Sequence, residues 1–154
     1  MNRRRAKKLT RRLVAAALTG DAAGAARLLR AGADPDRPDA YGTRPLYQAA
    51  VQGELAVLRL LLAAGAAPDL ESGRGQEGTP LCAAAVWGRV DIACELLAHG
   101  ADPGLREDAG LGNTPLESAR LFGQAETAEL LAEALASARP IASARPIASA
   151  GPIA

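Results

Sequence analysis

Gly78-Thr79-Pro80-Leu81-Cys82-Ala83-Ala84-Ala85 carries a helix start in its local chemistry. The Thr79 hydroxyl can accept from the free amides of a first helical turn. Pro80 suits the first helical position, where its missing N–H leaves no bond unmade. Leu81, Ala84 and Ala85 follow at helical spacing, and small Ala side chains let a second helix approach closely. Gly88 ends the helix, because glycine enters the left-handed conformation at little cost. Beyond it, Ile92, Ala93, Leu96 and Leu97 make the apolar stripe of another helix, which Gly100 terminates.

The phrase recurs on both sides. Gly42-Thr43-Arg44-Pro45-Leu46-Tyr47-Gln48-Ala49-Ala50 precedes it, and Gly112-Asn113-Thr114-Pro115-Leu116-Glu117-Ser118-Ala119 follows. The steps from Pro45 to Pro80 to Pro115 are 35 residues each, and Gly20 to Gly53 is 33. The second stripes are Val57, Leu58, Leu61 and Leu62 in one copy and Thr127, Ala128, Leu130 and Leu131 in the last. Leu13–Gly32, with Leu28 and Leu29, lacks Thr-Pro, as a terminal unit with one face in water does. Self-similarity at this period predicts a solenoid of two-helix units, none of which buries its apolar face alone.

These residues resemble ankyrin repeats, whose signature includes T-P-L-H-x-A at a 33-residue period. The resemblance spans residues 9–136, in units at about 9–38, 39–71, 72–105 and 106–136. It rests on Thr-Pro-Leu, the mid-unit Gly, the Leu pair, and the Gly-Ala-Asp runs Gly32-Ala33-Asp34 and Gly100-Ala101-Asp102. It implies an all-α solenoid with short β-hairpin-like fingers between helix pairs. The motif's His is replaced by Tyr47, Cys82 and Glu117, which removes the side chain that braces the loop. Arg44 stands where Thr belongs, a weaker cap. Gly65 to Pro80 and Gly100 to Pro115 each span 15 residues, against 13 for Gly32 to Pro45, so the two later fingers are longer.

Charge divides the chain. Residues 1–12 hold Arg3, Arg4, Arg5, Lys7, Lys8, Arg11 and Arg12 with no acid, a charge of +7. Residues 13–136 hold nine arginines and all 17 acidic residues, which leaves −8. Residues 1–8 therefore read as a basic leader on a mildly acidic body. The bland reading makes it a solvated extension of the first helix. The sharper one makes it a contact for an acidic partner, nucleic acid or an anionic membrane. From Ser137 to Ala154 the chain reads SARPIA, SARPIA, SAGPIA, and a Pro every six residues predicts an extended, disordered tail. Cys82 and Cys94 lie on different helices of one repeat without metal-ligand spacing, so two reduced, packed thiols in a cytoplasmic protein are expected. No run approaches the ~20 apolar residues of a membrane span.

The chain offers little for catalysis. Its one histidine, His99, precedes the helix-ending Gly100 and reads as an exposed last-turn residue. Gly73-Arg74-Gly75-Gln76-Glu77-Gly78 fits G-x-G-x-x-G in letters only, because Thr79-Pro80 follows as a repeat start. No catalytic residue, metal ligand, cofactor or small-molecule substrate is assigned. Exposed apolar residues are the better signal. The resemblance implies a concave groove lined by fingers and first helices, with the two residues before each mid-unit Gly on it. Val51, Gln52, Val86, Trp87, Leu121 and Phe122 occupy those places, flanked by Tyr41 at a finger tip; the bland alternative packs them, Trp87 and Phe122 above all, between neighbouring repeats. Arg74, Gln76, Glu77, Arg106, Glu107 and Asp108 on the longer fingers supply rim charge. The expected function is non-catalytic binding of a partner protein by a monomeric array.

Overall fold

The structure, a computed structural model, describes residues 2–138. The SARPIA run beyond Ala138 lies outside the described residues, and its first two, Ser137 and Ala138, close the last helix. Four helix pairs follow in order: α1 (Arg3–Thr19) with α2 (Ala22–Arg30), α3 (Pro45–Gln52) with α4 (Leu55–Ala63), α5 (Pro80–Val86) with α6 (Val90–Ala98), and, after a single turn α7 (Glu107–Gly110), α8 (Pro115–Leu121) with α9 (Ala125–Ala138). The first helices stack as one row, α1 on α3 on α5 on α8, and the second as another, α2 on α4 on α6 on α9. The chain is thus the all-α solenoid that its repeat predicts. One continuous core runs between the rows, with Leu13, Leu58, Leu61, Ile92, Leu96 and Leu131 fully buried. Each such side chain stabilises the stack by about 1.5–3 kcal/mol relative to exposure.

Caps follow local chemistry. The Thr79 hydroxyl accepts from the Cys82 amide at 3.2 Å. Thr114 accepts from the Glu117 amide at 3.2 Å, and the Glu117 carboxylate accepts from the Thr114 amide at 2.9 Å, a closed capping box. Arg44 makes no cap bond, and its guanidinium instead donates to the carbonyls of Asp36 and Glu71. Gly53 serves two needs at once. Its φ of 78° lies in the left-handed region, and a Cβ there would meet the Arg89 guanidinium of the next repeat at 3.0 Å. One repeat later, Gln124 reaches back in the same way and donates to the Val86 carbonyl at 3.1 Å.

The fingers depart from the hairpin expected of them. Among the described residues there is no strand, and each finger is a turn whose two arms are joined by backbone bonds. Asp39 donates to Thr43 at 2.9 Å, Ser72 to Gly78 at 2.9 Å, and Glu107 to Asn113 at 3.3 Å. Side chains take amides that a ladder would use, as when the Asp39 carboxylate accepts from Tyr41 and Thr43. In the third finger, Asp108 (φ 55°) and Ala109 (φ 53°) are left-handed without being glycine.

The basic leader is not separate from the array. Whereas α3 begins one residue before its Leu46, α1 begins ten residues before the matching Leu13. The additional turns carry the cations and bury Ala6 and Leu9. Among the described residues no finger precedes the first repeat, and this helical extension stands beside finger 1 instead.

Two predictions follow from backbone and caps. Because a non-glycine residue in the left-handed region costs about 1–2 kcal/mol, Gly53→Ala should destabilise by about that amount. Ala109→Gly should stabilise by about 0.5–1 kcal/mol once the added unfolded-state entropy of glycine is subtracted. Urea unfolding of both variants checks the opposite signs. The second prediction concerns pH. The hydrogen bond from Arg106, then that from the Thr114 amide, holds the Glu117 carboxyl below its ordinary value. Its contribution is therefore present above the ordinary carboxylate value and is lost as pH falls through the lowered one. Urea midpoints taken down that range should show a smaller acid-induced drop in Glu117→Gln than in the wild type.

Candidate functional site

The residues before each mid-unit Gly stand at the C-terminal ends of the first helices. Trp87 closes α5 and Phe122 closes α8, and their amides donate to Ala83 and Ser118 at 3.1 Å each. Any residue's backbone makes those bonds, so the fold does not call for the aromatic side chains. Yet Trp87 is 57% exposed, Phe122 56% and Leu121 71%. Because α5 packs on α8, these three lie on adjacent helix ends. Val51 and Val86 are half-buried, and Val51 packs against the core. Gln52 is exposed. The stripe is therefore uneven, with its open apolar surface concentrated on repeats three and four. Leu18, 51% exposed, occupies the same register on α1 and extends the row.

Two finger tips are apolar and exposed as well. Tyr41 is 84% exposed and Leu111, on finger 3, is 89% exposed. Leu111 was not among the residues singled out in the sequence, although the repeat register marks it: it precedes Pro115 by four residues, as Tyr41 precedes Pro45. The corresponding position of finger 2 is Gln76.

Most of the finger charges have partners. Glu77 accepts from the Thr43 hydroxyl at 2.8 Å and the Ser72 hydroxyl at 2.6 Å, and Ser72 in turn accepts from the Arg44 amide at 2.8 Å. Glu107 accepts from the Thr79 amide at 2.6 Å, and Glu71 from the Asp108 amide at 2.8 Å. Arg106 donates to the Gly112 carbonyl and pairs with Glu117 at 2.6 Å, and Arg74 reaches the Ala40 carbonyl at 3.4 Å. Carboxylates thus brace finger to finger where the motif's His is missing. The Gln76 and Asp108 side chains make no hydrogen bond among the described residues and stay exposed. Tyr47 lies beneath this network, and burial, then the charges of Glu77 and Glu107, raises its phenol above the ordinary value.

Two residues with chemical potential sit elsewhere. Burial pushes the Cys82 thiol up to about 12, only partly opposed by the Thr79 hydroxyl. Cys94 is exposed, so the expectation of two packed thiols holds for Cys82 alone. The α6 stripe of Ile92, Ala93 and Leu96 turns position 94 outward. His99 is an exposed cap of α6, with Nδ1 2.9 Å from the Glu95 carbonyl. Among the described residues no helix is long and apolar enough to cross a membrane. A thiol reagent at pH 8 should modify Cys94 within minutes and Cys82 only on unfolding, because Cys82 is both covered and protonated there. Peptide mapping by mass spectrometry, with and without urea, reads the two sites separately.

The geometry now has an independent counterpart. Three copies of a family model described as ankyrin repeats match residues 13–107. No curated protein matches the chain. The match ends before α8 and α9, yet that pair carries the same Thr-Pro cap, mid-unit Gly123 and buried Leu131 as the matched units. The stacked pairs, their shared register and the matched copies agree: the chain belongs to the ankyrin repeat family.

Proposed function

We propose that this chain is a non-catalytic protein-interaction module whose partner docks along the first-helix row and the fingers. The observation that carries the reading is the exposure of Trp87, Leu121 and Phe122 on adjacent helix ends that need no aromatic to fold. Contiguous exposed apolar surface marks interaction sites, and aromatic anchors commonly dominate their energetics. Tyr41 and Leu111 at the finger tips widen the surface. Val51, Gln52 and Val86 form its floor toward the second repeat. Gln76 and Asp108 are the rim groups left to meet a partner, while Arg74, Glu77, Arg106 and Glu107 hold the fingers that present it.

Truncating a true anchor costs about 2 kcal/mol or more, roughly thirtyfold in affinity. Trp87→Ala with Phe122→Ala should therefore abolish partner capture from a host lysate while leaving the helical circular dichroism unchanged. Capture should persist between 50 and 200 mM salt, since an apolar contact releases few counterions. Undiminished capture by the double variant refutes the groove assignment.

A further inference from the structure

A cleft of about 510 Å³ opens between the N-terminal half of α1 and the first finger. Lys7, Lys8 and Arg11 rise from the helix side, and Arg37 from the finger side. Pro38, Ala40 and Tyr41 give it an apolar wall. None of the four cations forms an ion pair among the described residues. The one acid in the cleft, Asp39, is held by the Tyr41 amide at 2.8 Å and the Thr43 amide at 3.1 Å. Thr10, also in the wall, is 2% exposed, and its hydroxyl has no partner. That is unlike Thr19 on the same helix, which donates to the Ala15 carbonyl at 2.9 Å.

The placement of charge works against the helix. The first turn of α1 holds Arg3, Arg4 and Arg5 and no acid. Cations at a helix N-terminus oppose the macrodipole. Seven cations between Arg3 and Arg12 repel one another as well. The exposed glutamates of α9 belong to the opposite end of the stack and cannot relieve them. Departures from local rules are expected at functional or strained sites.

We infer that the cleft between α1 and the first finger is a second docking site, one that takes an acidic linear peptide bearing one aromatic or large apolar residue. The carboxylates meet Lys7, Lys8, Arg11 and Arg37, and the apolar residue packs against Pro38, Ala40 and the Tyr41 ring. The shape selects this occupant. A cleft of this volume lies within the range of small-ligand pockets and admits a few side chains. A bilayer surface does not enter it. Single-stranded nucleic acid needs a succession of stacking faces, and Tyr41 is the only aromatic here. The cleft shares no lining residue with the Trp87, Leu121 and Phe122 helix ends.

The test uses the full chain and a fluorescein-labelled peptide, Glu-Asp-Glu-Phe-Glu-Asp-Glu, followed by anisotropy at 150 mM salt. Lys7→Gln with Arg11→Gln should weaken binding at least tenfold, as should alanine in place of the peptide's phenylalanine. Both substituted side chains are exposed, and circular dichroism verifies the fold. Arg27→Gln with Arg30→Gln, which removes equal charge from α2, should change binding less than twofold, as should Trp87→Ala. Equal losses from the α1 and α2 variants would show a bulk-charge effect and overturn the site. So would an unbound peptide, or tighter binding to oligothymidylate or phosphatidylserine vesicles that the peptide fails to displace.

Discussion

Leu58, Leu61, Ile92 and Leu96 are buried only because the neighbouring helix pairs lie against them, so no pair is stable outside the stack. The features that look like decoration in the sequence serve this one requirement of close lateral approach. Ala49, Ala50, Ala84 and Ala85 are fully buried between first helices, where larger side chains would push the row apart. Arg89 and Gln124, each just after a mid-unit Gly, reach back to the repeat before. Higher up, Asp36 accepts from the Ala67 amide at 2.9 Å and Asp69 from the Asp102 amide at 3.0 Å, a tie repeated one unit on. Each contact joins nearest neighbours, so stability accumulates along the array.

The row of helices was legible because its signals are local. Thr79, Pro80 and Gly88 act on backbone within a turn of themselves, and Leu81 with Leu96 shows its face by periodicity. The finger bracing was not legible for the opposite reason. Glu77 and Glu107 bind groups 34 and 28 residues away, and no local pattern distinguishes such a carboxylate from a solvated rim charge. The same blindness made Arg106 look free when it is paired with Glu117. Leu111 had a readable register, but a lone Leu among Gly, Asp and Asn residues carries no local sign that a turn will hold it in water. Trp87 shows the limit most plainly. Its position could be read, but its exposure depends on what α8 places beside it.

The first repeat differs from the rest in a way that bears on both surfaces. Fingers 2 and 3 each lean on the finger before them, through Glu77 to Thr43 and Asp108 to Glu71. Finger 1 follows no earlier finger among the described residues and is supported from finger 2 alone, where the Gly73 amide donates to the Gly42 carbonyl at 2.9 Å. Its other flank faces the additional turns of α1 across an open cleft rather than a packed seam. Between fingers 2 and 3 the space narrows to about 200 Å³ and is lined by Glu71, Glu77, Glu107 and Asp108, so a cationic cleft does not recur there. The array therefore separates two chemistries by geometry: apolar surface where helix ends are regular, and cationic concavity where regularity begins.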